Sequence, residues 1–146
     1  MCRLLILPIA LLCLAGCSEP FIVFSGGALS GDVQTPPEDW SELRDEETFQ
    51  LETRPNDPYS VNIWAVGIGR DAYIGTGPEG THWSEYIAED PRVRLRVGNT
   101  LYPLLARPVT DKDERRAVAR RYAEKYGMDQ DQNWLDKALV FRLDRR

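Results

Sequence analysis

A mainly β domain, with about six antiparallel strands and two or three short helices, is what the sequence predicts. Three observations lead there. Apolar and polar residues alternate through much of 48–109 and again at 139–143, the two-residue period of a strand with one buried face. Short turns bearing Gly, Pro, Asn or Asp separate most of these stretches, which favours antiparallel pairing of neighbours. Only a few segments carry a helical period. A barrel buries such alternating faces and removes free sheet edges.

The elements follow in order. Residues 40–47 suit a short helical turn, with Asp39 as N-cap and Leu43 facing inward. Residues 48–53 form a first strand with Phe49 and Leu51 on one face, and Pro55-Asn56-Asp57-Pro58 turns the chain. Residues 60–66 read as one strand, with Val61, Ile63 and Ala65 on one side. A hairpin around Gly67 to Asp71 returns through 72–76. Thr81 caps a short helix that ends before Pro91, with Trp83, Tyr86 and Ile87 on its apolar face. Val93, Leu95 and Val97 alternate with Arg92, Arg94 and Arg96 in a fourth strand, and Gly98-Asn99 turns into a fifth at 100–109. Pro103 and Pro108 place that strand near an edge or bulge. Thr110 is the expected cap of a longer helix striped by Val118, Tyr122 and Tyr126 and stopped by Gly127. An acidic connection at 129–136, containing Trp134, leads to a last strand marked by Leu139, Phe141 and Leu143.

The N-terminus has a different character. Residues 4–14 are apolar apart from Pro8 and Cys13, with Arg3 in front. That run is too short to span a bilayer of ~30 Å and has the length of a signal-peptide core. Leu14-Ala15-Gly16-Cys17 resembles a lipobox, in which small residues fit the peptidase pocket and Cys17 carries a diacylglyceryl thioether. The expected organisation is a signal peptide at 1–16, a lipidated tether at 17–39 and a barrel at 40–146. Six glycines and prolines between 18 and 39 make the tether irregular, although Phe21-Ile22-Val23-Phe24 is too apolar to be fully solvated. Ser18 after the cysteine, with no aspartate there, resembles outer-membrane routing, which places the domain in the cell envelope facing the periplasm.

The three cysteines are Cys2, Cys13 and Cys17. Two leave with the leader and the third is lipidated, so the domain is held by core packing and not by disulfides. The chain holds 18 Lys and Arg against 23 Asp and Glu; loss of Arg3 with the leader takes the net charge from −5 to −6. Such a domain is no general nucleic-acid binder, and adhesion to anionic lipid must come from the anchor. The single histidine, His82, could serve as acid or base or simply sit near a helix start. A zinc site lacks a second histidine and a free thiol. No nucleophile elbow accompanies His82. The Arg92, Arg94, Arg96 row fits a solvated strand face better than an anion site.

A resemblance extends this reading. Leu51-Glu52-Thr53-Arg54, Tyr59-Ser60-Val61-Asn62-Ile63-Trp64, Ala72-Tyr73-Ile74-Gly75-Thr76-Gly77, Trp83 and Glu89-Asp90-Pro91-Arg92-Val93 occur in an order that resembles the FMN-binding split-barrel superfamily. Within it they are similar to the deazaflavin-dependent nitroreductase-like and pyridoxamine-phosphate-oxidase-like proteins. The resemblance implies a six-stranded antiparallel split β-barrel, a homodimer, an FMN or deazaflavin cofactor and oxidoreductase chemistry. It implies a site lined by Arg54, Ser60, Thr76 and Trp83, with Arg54 on the cofactor phosphate and Trp83 at the ring; Thr81 and His82 could donate hydrogen bonds to the cofactor, and Tyr59 and Trp64 could pack on its ring system. The sequence also departs from the family. The Arg54 loop has no lysine and adds Asp57, a repulsive neighbour for phosphate. A lipid-anchored module that keeps the barrel without cofactor or catalysis is the alternative. No catalytic residue is assigned.

Overall fold

The computed structural model describes residues 26–45, 49–128 and 137–146. The leader, Cys17, Phe21-Ile22-Val23-Phe24 and the connection at 129–136 lie outside the described residues. Eight strands form one sheet: β1 (Asp32–Val33), β2 (Phe49–Thr53), β3 (Tyr59–Ile63), β4 (Ala65–Ile68), β5 (Asp71–Thr76), β6 (Arg92–Val97), β7 (Thr100–Pro108) and β8 (Leu139–Arg145). A 3-10 turn at Ser41–Asp45 and two helices, α1 (His82–Glu89) and α2 (Lys112–Tyr126), complete the fold. The sheet order is β3-β2-β6-β7-β8-β5-β4, with β1 beside β7. Every pairing is antiparallel except the parallel one of β1 with β7.

The first and last strands of that path, β3 and β4, are consecutive in sequence with Trp64 alone between them. The sheet therefore curls until its two edges meet at one residue, a split barrel closed by the chain and not by a ladder. The strand count corrects the expected six to eight. The single strand expected over 60–66 is two strands, and β1 arises in a stretch expected to be irregular.

The alternation of each strand now has two destinations. Phe49, Leu51, Ile63, Ala65, Ile74, Leu95, Leu104, Phe141 and Leu143 point into the barrel with Trp40, Trp83 and Ile87. On the opposite face Val66, Tyr73 and Val140 pack on Val118 and Tyr122 of α2. Consecutive residues of β5 are thus buried because both faces are covered. Tyr122 is 3% exposed, and its hydroxyl donates to the Trp64 carbonyl at 3.1 Å and reaches the Tyr73 carbonyl at 3.4 Å. Burial raises its pKa above the ordinary tyrosine value. Truncation to alanine removes the ring that joins helix to sheet; we expect Tyr122→Ala to cost about 3 kcal/mol in a denaturant titration.

The helix ends are set locally. Thr81 precedes α1, its amide donating to Ser84 Oγ at 2.9 Å. The cap of α2 is Asp111 and not Thr110: its carboxylate accepts from the amides of Asp113 and Glu114 at 3.0 and 2.8 Å. Gly127 ends α2 in the left-handed region at φ 64°. β7 is central and not an edge strand as its prolines suggested. Pro103 falls between the stretches paired with β1 and with β8, so β6 alone flanks it, and Pro108 is the last strand residue.

Candidate functional site at the β2–β3 turn

The turn after β2 is where the sequence departs most from ordinary strand chemistry. Arg54 has φ 55° and is the one residue other than glycine with positive φ among the described residues. A non-glycine side chain in that region costs free energy. Two contacts hold it. The Asp57 amide donates to the Arg54 carbonyl at 2.9 Å, and the Arg54 guanidinium is ion-paired with the Asp57 carboxylate. The same guanidinium lies 4.6 Å from the ring centre of Tyr86 on α1, a cation–π contact. Tyr86 meets Tyr59 edge-on at 5.2 Å and lies near-parallel to His82 at 6.4 Å. His82 is exposed and 3.4 Å from Glu85. Arg54, Tyr59, His82 and Tyr86 therefore make one polar-aromatic cluster where the turn meets α1.

A groove of about 410 Å³ lies beside the same turn. Thr53, Pro55, Pro58, Val93 and Pro103 give it apolar walls, and Arg92, Arg94 and Arg146 supply guanidinium groups. Arg92 is held by Asp90 through Nε and Nη2, and those bonds lower the Asp90 carboxyl to about 2. Arg94 bonds both carboxylate oxygens of Glu52, which is 3% exposed. Arg146 donates Nε to the Leu104 carbonyl at 3.3 Å, and its charge helps to hold the Asp90 carboxyl down.

Arg92 of the β6 arginine row is exposed as expected, whereas Arg94 and Arg96 are partly covered. Arg94 also donates to the Leu29 carbonyl at 3.1 Å, and Arg96 donates to the Ser30 carbonyl at 3.2 Å. The Leu29 amide donates to Glu52 at 2.6 Å. Further along, the Asp32 amide bonds Asn99 and the Gln34 amide bonds Leu101. Residues 26–37 are thereby strapped across the outside of the sheet, with Arg145 holding the Pro36 carbonyl at 2.8 Å.

The four residues expected to line one site fall into two pairs. Arg54 and Ser60 flank the β2–β3 turn. Ser60 is buried beneath the strap, exchanging backbone hydrogen bonds with Gly26 at 2.8 and 2.9 Å. Thr76 ends β5 opposite Leu139, and Trp83 is 6% exposed with its ring edge-on to Phe141 at 5.8 Å. Both thus sit against β8, and Trp83 is a core wall. Trp64 stacks on Tyr126 at the seam between β3 and β4. Tyr86 was legible only as an apolar helix position, although it lies at i+4 from His82. Arg146 and Pro103 carry no local signal, because sheet pairing alone brings them to the turn. No cluster of three His, Cys, Asp or Glu is placed to hold a metal among the described residues.

A curled antiparallel sheet split at one seam, with a basic and aromatic mouth, defines a split β-barrel. The family model for F420H(2)-dependent quinone reductase matches residues 71–145, and the chain belongs to that family. No curated protein matches the chain. Solved structures similar in fold include a conserved hypothetical protein from Mycobacterium tuberculosis, at 20% identity and TM-score 0.57 over 71% of this chain and 76% of that one. A FAD-binding protein from Mesorhizobium loti matches at 14% identity and TM-score 0.55, over 71% and 84%. The heme storage protein HutZ from Vibrio cholerae matches at 17% and 0.57, over 72% and 86%. One further match, at 17% and 0.57 over 68% and 81%, is described as a domain-swapped dimer.

Proposed function

We propose that this chain is a lipid-anchored oxidoreductase whose split barrel binds a flavin or deazaflavin at the β2–β3 turn. The observation that carries the reading is the groove of about 410 Å³ with three guanidinium groups beside the Arg54–Tyr86 cluster, in a chain of a deazaflavin-dependent family. Its size falls in the range of cofactor pockets, ~300–1,000 Å³. The residues present fit such a group. Arg146 would take its phosphate-bearing arm, with Arg92 beside it already shared with Asp90, and Tyr59 and Tyr86 offer rings beside the turn. A bound flavin or deazaflavin supplies hydride transfer; the chain's own residues bind and orient it.

One observation favours the alternative, a binding or structural module without cofactor: Arg54 is already neutralised by Asp57. The same proposal includes lipidation at Cys17, placement on the outer membrane facing the periplasm, and a homodimer. The absorbance spectrum of the protein as purified, with mass analysis of released small molecules and of the N-terminal peptide, tests it. A flavin or deazaflavin band and a diacylglyceryl mass on Cys17 are expected. A colourless protein that takes up neither compound favours the module.

A further inference from the structure

We infer that the strap of residues 26–37 forms one wall of the groove, and that Val33 on it is a contact residue for the bound cofactor. The inference rests on the cofactor reading above and deepens it; it does not depend on the lipid anchor. Val33 lines the groove together with Pro55, Pro58 and Pro103. It comes from a segment outside the family match at 71–145. At 63% it is the most exposed large hydrophobic side chain among the described residues. A single exposed apolar residue is ordinary on a protein surface. This one is held rigidly in the wall of a cavity, where an apolar ligand surface would take it out of water.

The rigidity follows from the pairing. Val33 stands opposite Leu101 in the β1–β7 pair. Before it, the Asp32 amide donates to the Asn99 carbonyl at 2.8 Å; after it, the Gln34 amide donates to the Leu101 carbonyl at 3.0 Å. Gly26 and Ser60 exchange backbone bonds at one end of the strap, and Arg145 holds the Pro36 carbonyl at the other. Groove and strap also share side chains. Glu52 and Arg94 line the groove, and the same two groups clamp Leu29, the carboxylate accepting its amide and the guanidinium donating to its carbonyl. Because Arg94 is ion-paired with Glu52, the phosphate is left to Arg146, while Val33 and the prolines suit the uncharged part of the ligand. Gly31 permits the close approach. Its φ is 154°, and a Cβ there would stand 2.5 Å from the Asn99 carbonyl oxygen, the atom that accepts the Asp32 amide. A side chain at 31 must therefore lift the strap at β1 and carry Val33 away from the groove.

Equilibrium titration of the full chain with FMN and with deazaflavin F420, with hydrogen exchange followed at the Gln34 amide, tests this. Val33→Ser should weaken binding roughly three- to tenfold, the worth of one largely buried valine contact. Its Gln34 amide should stay as protected as in the parent, because the strap is held through its backbone. Val33→Leu keeps an apolar contact and should bind about as tightly as the parent. Gly31→Ala should lose both affinity and protection at Gln34. Parent-like binding by Val33→Ser, in a parent that binds, overturns the inference and leaves the cofactor reading standing. Lost protection at Gln34 in Val33→Ser traces its weaker binding to a displaced strap and overturns the contact assigned to Val33. No binding of either compound by the parent overturns both readings.

Discussion

Gly67→Ala is expected to be the most damaging single methyl group in this protein. Gly67 lies in β4, and a Cβ there would stand 1.9 Å from the Trp40 carbonyl oxygen and 2.5 Å from its carbon. Both atoms are backbone, so no rotamer relieves the clash. The Trp40 segment cannot easily retreat, because its amide donates to the Gly69 carbonyl at 2.7 Å and its ring is 1% exposed in the barrel. Trp40 also packs edge-on against Tyr102 at 5.1 Å. Either the wedge over β4 lifts away or β4 leaves the sheet. Overpacking typically costs ~1–3 kcal/mol, and a clash with backbone belongs at the top of that range. We expect a loss of about 3 kcal/mol or more by thermal or denaturant unfolding. Stability within ~0.5 kcal/mol of the parent, the range of an inert surface change, would show that Trp40 does not pack on Gly67.

Glu52→Ala should be the second large effect, and it should appear in two places at once. The Glu52 carboxylate is buried and takes both Arg94 and the Leu29 amide. Its removal leaves the Arg94 guanidinium, 29% exposed, without an acidic partner. Breaking a buried pair from one side costs ~3–5 kcal/mol; partial solvent access to Arg94 puts the expectation near 3 kcal/mol. The strap loses its central fastening as well. Hydrogen exchange should therefore accelerate at the Leu29 amide more than at core amides of β6 and β7. Unchanged exchange at Leu29 would mean that the strap is held by its other bonds alone.

These two residues also mark what the sequence could and could not disclose. The strands, both helices and the Thr81 cap were legible, because each depends on a period or a cap within a few residues. The break at Trp64 was not. Ile63 and Ala65 both enter the same core, so the alternation runs unbroken through the point where the chain crosses from one sheet edge to the other. β1 is two exposed residues held by pairing and strap bonds, with no pattern of its own. The row of three arginines on β6 was visible, but its partners were not: Leu29 and Ser30 lie over sixty residues away in sequence. The same distance hid the groove. Arg54 stood out by its motif, whereas Tyr86, which holds its guanidinium, resembled one more apolar position on a short helix.

The central claim is that the β2–β3 turn binds a flavin-type cofactor through the guanidinium groups gathered there. Equilibrium titration of the full chain with FMN and with deazaflavin F420, followed by fluorescence and repeated with Arg146→Ala and Arg54→Ala, tests it most directly. Saturable binding of at least one compound by the parent is expected. Arg146→Ala should weaken it at least tenfold, the ~1.4 kcal/mol of one lost charge-assisted contact to phosphate, and Arg54→Ala should weaken it by disturbing Tyr86. Binding that is unchanged in both variants, or no binding of either compound at high micromolar concentration, would contradict it.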